Sequence, residues 1–430
     1  MRQNVHYALI VAAVACLPTV SARANPIEFL DRIIGFAEET VEDTLEQTGA
    51  TPNGPPPFRV GLMLPKSGPH REAAMRVARG WEIALAISDG HIADRQVRLV
   101  FGDTSKGPEE VLRAVERMSS KRPIDVFAGV IGANMAGTMA RYTARLRKPL
   151  VLAGAVGENV MSQACFSHVA RTSFNIAPYQ TTSGRFFAGQ FKTLVTVAPQ
   201  SKGGYRLIRR FATAYRNAGG RIIEQAWATT GRKYDWSALL SRAAQSGPQA
   251  IYAFFEGRNA ERIVHQHSRI GLKSQMALIG PEWLFGPRAL NRRSKHSAGA
   301  RLLTSYLPER DTSANRLFVE HYRKTYREDP DAYAYMGYEN ALAVLLTAAD
   351  LNGQTYDGAA FIAAMKKVSY FGLMPRGEFA LNDTNSAFLK RLFWVEAVKV
   401  KSGNRLKQLS VLPVDPDNSV CKKQTARNRN

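Results

Sequence analysis

Cysteine is almost missing from this chain: 430 residues hold three, at positions 16, 165 and 421. So few exclude a disulfide-dense scaffold and the paired cysteine spacing of a structural zinc site. Acids are scarce too, 36 against 58 lysines and arginines, so the chain is not an acidic, solvating one. Long apolar runs are confined to Tyr7–Leu17, which is too short to span a bilayer. No Gly-x-Ser-x-Gly elbow occurs. Gly61–Ser67 lacks the Gly-Lys-Ser/Thr ending of a phosphate loop, because Pro65 stands before Lys66 and Ser67. His265 and His267 point apart on a helix, and Glu261 with His265 gives only two ligands, so no metal site is expected. With no catalytic constellation and no cofactor signature left, the sequence is not expected to be an enzyme.

The first 24 residues have the features of an export signal. Arg2 gives a basic start, Tyr7–Leu17 an apolar core and Ala22-Arg23-Ala24 a small-x-small cleavage pattern, so the mature chain is expected to begin at Asn25. A lipoprotein reading at Ala13–Cys16 lacks the usual leucine before the cysteine. Export places the protein in the periplasm and leaves Cys165 and Cys421 as an even pair. A disulfide between them is expected, with free thiols or an intermolecular bridge as the alternatives.

Net charge is +22. Residues 1–24 contribute two arginines and residues 25–50 seven acids and one arginine, so the chain beyond residue 50 carries +26. Such a field attracts anions. Export and the dispersal of the basic residues over helix faces argue against nucleic acid. In the acidic piece, Ile27, Leu30, Ile34, Ala37, Val41 and Leu45 recur at helical spacing. Thr51–Pro57, with four prolines, then forms a stiff linker. This helix either docks on the basic body or serves as an arm for a partner or a second copy.

From Phe58 onward, short apolar runs alternate with helical patterns, which indicates parallel sheets covered by helices on both faces. The pattern runs once from Phe58 to about Thr172. It repeats from Thr193 to Ile279 without sequence repetition, and helices at Ser313–Tyr326, Tyr333–Leu351 and Gly358–Val368 follow. At 45% apolar residues, the chain can fill two cores.

Several words within this pattern carry a resemblance. They are Val60–Pro65 with Ser67-Gly68-Pro69, Arg79–Ala84, Ala170–Asn175, Tyr234–Ser237, Ser246–Ile251, Arg269–Leu272 and Tyr335–Ala341. In order and spacing, over about residues 58–400, they resemble the type I periplasmic solute-binding proteins of ABC importers, specifically the branched-chain amino-acid-binding group. The resemblance implies two doubly wound, Rossmann-like α/β lobes joined by three crossings near Ser173, Thr304 and Phe371. Lobe one would comprise residues 58–172 and 305–371, lobe two 173–304 and 372–412, with a tail at 413–430. It also implies an ABC permease as partner. Use of the same clamp in a sensor or an envelope scaffold, without transport, is the alternative.

Ligands of such sheets sit outside the carboxyl ends of the strands. The expected cleft residues are therefore Ser67, Ala133, Asn134, Ala155, Val156, Phe255, Glu282 and Trp283. The resemblance implies paired serines at Gly132 and Ala133 and a serine-alanine-threonine at Gly154-Ala155-Val156, so both hydroxyl sets are replaced. Glu282 matches the acid that accepts a ligand ammonium, with a rim salt bridge as the alternative. Glu256 reads equally well as a surface pair with Arg258 or Arg262. The roomier, less polar loops favour an amino acid or related organic acid with a bulkier apolar or aromatic body.

Overall fold

The computed structural model describes residues 55–68, 70–121, 123–154, 160–161, 165–229, 235–285, 296–355, 357–370, 372–400 and 403–417. The export signal, the acidic segment, most of the Pro-rich linker, Ala155, Val156 and Cys421 lie outside them.

The first sheet holds β1 (Phe58–Leu64), β2 (His91–Ile92), β3 (Arg95–Asp103), β4 (Val126–Gly129), β5 (Leu150–Leu152), β6 (Val169–Phe174) and β12 (Ser386–Ala387), in the order β12-β6-β5-β4-β1-β3-β2. The second holds β7 (Thr193–Pro199), β8 (Arg221–Ala228), β9 (Ala250–Ala253), β10 (Ala277–Pro281), β11 (Arg301–Thr304), β13 (Arg391–Val400) and β14 (Gly403–Pro413), in the order β14-β13-β11-β10-β9-β7-β8. Pairing is parallel except at β2–β3, β11–β13 and β13–β14. Central strands are buried along their whole length, as in Val126–Gly129 and Ala250–Ala253, because helices cover both faces.

The helices of the first lobe are α1 (Arg71–Ile87), α2 (Pro108–Lys121) and α3 (Ala133–Arg145); those of the second begin with α4 (Ile176–Gln190), α5 (Lys202–Asn217), α6 (Ser237–Gln245) and α7 (Gly257–Arg269). After β11 come α8 (Ser313–Tyr326), α9 (Ala332–Asp350) and α10 (Gly358–Lys367). Helix α9 returns to lobe one and lies tightly along α1. A side chain at Gly80 would run into Ala334 O and Tyr338 N, and one at Gly337 into Val77 O. Across the same contact Trp81 Nε1 donates to Asn340 Oδ1 at 3.0 Å. Asn340 Nδ2 in turn donates to Thr172 Oγ1 at 3.0 Å and Val151 O at 3.2 Å.

Two features depart from the sequence reading. Helix α4, opened by Asn175 accepting from Ala177 N, was not expected, because its apolar and polar residues show little helical asymmetry. The third crossing also falls later than Phe371. Residues 372–389 stay with lobe one, where β12 pairs with β6, and the chain enters the second sheet only at Arg391. Arg376 fixes this segment. Its guanidinium pairs with buried Glu339 of α9 and donates to Thr172 O at the end of β6, while its backbone N–H reaches Glu339 Oε1 at 3.0 Å.

Candidate functional site

The carboxyl ends of the two sheets face each other. At the lip, His70 Nδ1, ahead of α1, lies 3.6 Å from Glu256 Oε2, ahead of α7 in the other lobe. Burial pushes the Glu256 carboxyl up, and His70 opposes that shift. Tyr333, at the start of α9, faces the same region. Burial, then the charges of Glu256, Asp331 and Glu282, hold its hydroxyl well above the usual value.

Helices α4, α5, α8, α9 and α10 carry side-chain caps from Asn175, Ser201, Thr312, Asp331 and Asp357. Helices α1, α3, α6 and α7 carry none; of these, α1 and α3 begin at the ends of β1 and β4, where His70 makes no cap bond and Gly132 has no side chain to make one. Gly132 also sits at φ +99, a conformation that favours glycine. Uncapped helix starts leave backbone N–H donors and the positive dipole end free for an anion. Ser67 is exposed in the loop between β1 and α1, and Ala133 and Asn134 form the first turn of α3.

Phe255 does not lie at the cleft where the sequence reading put it. Phe255 points into the core of lobe two, fully buried, with its ring centroid 5.0 Å from that of Trp236. Its neighbour Phe254 takes the opposite face and approaches Trp283 at 6.0 Å, and Trp283 approaches Tyr179 at 5.5 Å. Successive residues of a strand point to opposite faces, which puts these two neighbours in different clusters. The alternation Ala253-Phe254-Phe255 past the end of β9 held this signal, but two adjacent aromatics made it ambiguous.

Glu282 is buried at the second crossing, and its oxygens already have partners. Oε2 accepts from Ser305 N at 2.6 Å and Thr304 Oγ1 at 2.9 Å, and Oε1 accepts from Ser305 Oγ at 3.0 Å. Ser305 Oγ also contacts Tyr335 Oη at 2.9 Å, and Tyr179 Oη accepts from Glu282 N at 3.2 Å. Thr304 and Ser305 were not singled out in the sequence; only the crossing itself was. The carboxylate thus ties the end of β10 to the second crossing, and Ser305 carries the link on to Tyr335 of α9.

Burial raises Glu282 to about 7, against hydrogen bonds from Ser305 and Thr304. An unfolded glutamate titrates near ~4.3, so the folded chain holds this proton more tightly over that window. The resulting stabilisation is complete below the unfolded value and is lost as pH rises through 7. Glu282→Gln should remove roughly 2–3 kcal/mol of pH dependence between pH 5 and 8, measured as the difference between the two proteins' stability curves. Parallel curves would mean that the carboxyl ionises in the fold as it does in water.

The second histidine, His267, is buried and pushed down to about 4 by desolvation, while His265 is exposed and lies against His296. Among the described residues no group of three or more His, Cys, Asp or Glu could hold a metal. No helix among them is long and apolar enough to cross a membrane. Cys165 is among the described residues and Cys421 is not, so the expected pairing lies outside them.

Two doubly wound lobes, three crossings and facing strand ends define a solute-binding clamp. The chain belongs to the periplasmic binding protein family, whose model matches residues 57–403. Among solved structures it is similar to a solute-binding protein of an ABC transporter from Rhodopseudomonas palustris, in complex with benzoate. That match has 21% identity and a TM-score of 0.75, covering 85% of this chain and 99% of the other. A second, from R. palustris BisB5 with 3,4-dihydroxybenzoic acid, has 20% identity and a TM-score of 0.76, covering 84% and 98%. The leucine-binding protein LivK of Thermotoga maritima has 19% identity and a TM-score of 0.70, covering 84% and 99%. No curated protein matches by sequence.

Proposed function

We propose that this protein is the periplasmic solute-binding component of an ABC importer, and that its ligand is a small carboxylic acid with an apolar or aromatic body. The observation that carries this reading is the pair of uncapped helix starts, α1 and α3, at the carboxyl ends of β1 and β4, taken with the Phe254–Trp283 ring pair just beyond β9 and β10. Those donors suit a carboxylate and those rings suit an apolar body. Glu282, the residue matched to ammonium binding, has its acceptors filled by Ser305 and Thr304, which favours a plain acid over an amino acid. The benzoate and dihydroxybenzoate bound by the two R. palustris relatives are consistent with that chemistry. The same reading includes cleavage after Ala24, an inner-membrane permease as partner, no catalysis, and a cleft formed with Ser67, Ala133, Asn134, Ala155, Val156 and Trp283.

A thermal-shift series with benzoate, hydroxybenzoates, branched aliphatic acids and leucine tests it. A ligand at 100 times its Kd stabilises by about 2.7 kcal/mol. Aromatic acids should shift the melting point and leucine should not. A shift with leucine alone would return Glu282 to the ligand. With a hit in hand, Phe254→Ala should weaken binding about tenfold or more. Phe255→Ala should instead cost about 3–5 kcal/mol of stability with little change in Kd. Reversed effects would exchange the two roles.

Cys421 is the proposed partner of Cys165, on the grounds that Cys16 leaves with the export signal. Thiol titration of the denatured, unreduced mature chain should then find no free thiol; two thiols per chain would refute the pairing.

A further inference from the structure

We propose that the acidic segment of residues 25–50 docks on the basic pole of lobe one, at the carboxyl ends of α2 and α3. Three observations carry this. The first is where the chain leaves the fold. Arg95 Nε donates to Pro56 O at 2.8 Å and Nη2 to Pro57 O at 2.9 Å, while Nη2 also pairs with Asp125 at 3.0 Å. The linker is therefore clamped at the amino end of β1, and the segment before it emerges at the pole of lobe one that faces away from the cleft.

The second observation is what surrounds that exit. Strand β1 pairs with β4 and β4 with β5, all parallel, so their amino ends lie side by side. Arg59 N donates to Asp125 Oδ2 at 2.9 Å and Phe127 N to Pro149 O at 2.9 Å. Two strand spacings put Pro149 roughly 10 Å from the exit. Immediately before it, α3 ends in exposed Arg141 and Arg145, followed by Arg147 and half-buried Lys148; Arg117 is exposed near the end of α2. Helix α3 contains no acid. Two carboxylates beside these arginines are already engaged. Asp357 caps α10 and lies 3.6 Å from Arg147, and Glu116 interacts with Tyr142.

The third observation is complementarity. Residues 25–50 carry Glu28, Asp31, Glu38, Glu39, Glu42, Asp43 and Glu46 against one arginine, and the five acids from Glu38 to Glu46 lie nearest the linker. A short tether gives effective concentrations in the millimolar range, so docking within one chain outcompetes a second copy at micromolar protein. Helix α5 is also strongly basic, with Lys202, Arg206, Arg209, Arg210 and Arg216, but it starts at the cleft end of the other lobe. Strand β1 alone sets the exit roughly 23 Å back from that cleft.

The test uses the full exported chain. Zero-length carbodiimide cross-linking should join Lys148 to acids within Glu38–Glu46, in the monomer band. Cleavage by a glutamate-specific protease within residues 28–46 should be about five- to tenfold slower at 20 mM than at 300 mM salt, where screening releases the segment. The triple variant Arg141→Gln, Arg145→Gln, Arg147→Gln should lose that salt dependence; Arg206→Gln, Arg209→Gln, Arg216→Gln should keep it. Cross-links to Lys202, cross-links confined to a dimer band, or protection unchanged in the α3 variant would each overturn the proposal. The cross-linking arm uses unaltered protein, so it decides the matter even if a triple variant folds poorly.

Discussion

Arg376→Met is expected to destabilise the protein by about 3–5 kcal/mol, because it strands a buried carboxylate. Glu339 is fully buried, and burial already raises its carboxyl; the Arg376 guanidinium and backbone N–H are what hold it in place. The same guanidinium binds Thr172 O, so the variant also loosens the first and third crossings. Adding Glu339→Gln to Arg376→Met should recover much of the loss, since it removes the unpaired charge. Chemical denaturation of the single and double variants checks this. A single variant within about 0.5 kcal/mol of the parent would mean that the pair contributes nothing net.

The second large effect belongs to Gly337. Helices α1 and α9 touch through Gly80 and Gly337, where added side chains meet backbone atoms, not movable side-chain tips. Gly337→Val should cost about 3 kcal/mol or more by forcing the helices apart. Gly189, inside α4 and clear of any neighbour, is the control: Gly189→Ala should be neutral or stabilise by up to about 1 kcal/mol. Equal effects at the two positions would show that the α1–α9 contact yields easily.

These two sites also explain which parts of the sequence were legible. The words around Gly80-Trp81 and Gly337–Asn340 proved to be packing words: they are the two sides of one helix contact, joined by the Trp81–Asn340 hydrogen bond. They announce the fold, and both sheets and nearly every expected element followed from periodicity. The site was less legible. Glu282 was placed correctly at the end of β10, but a sequence cannot show that Ser305 and Thr304, some twenty residues on, already fill its oxygens. Phe254 and Phe255 are chemically identical, and only the face of the strand separates them. The uncapped starts of α1 and α3 register in sequence as the lack of a serine, threonine, aspartate or asparagine at each cap, which is easily passed over. The third crossing was misplaced because β12 is only two residues long and has no periodicity to read.

One apolar cluster runs without a break through the hinge. It includes Phe58, Trp81 and Tyr338 of the first lobe, Tyr306 at the second crossing, and Phe187, Phe211 and Tyr252 of the second lobe. The two halves are therefore not separable modules joined by a passive linkage. Cutting the gene at the crossings would leave each fragment with a raw greasy face, and heating should melt the molecule as one cooperative unit. Any opening of the clamp would then have to deform this shared cluster.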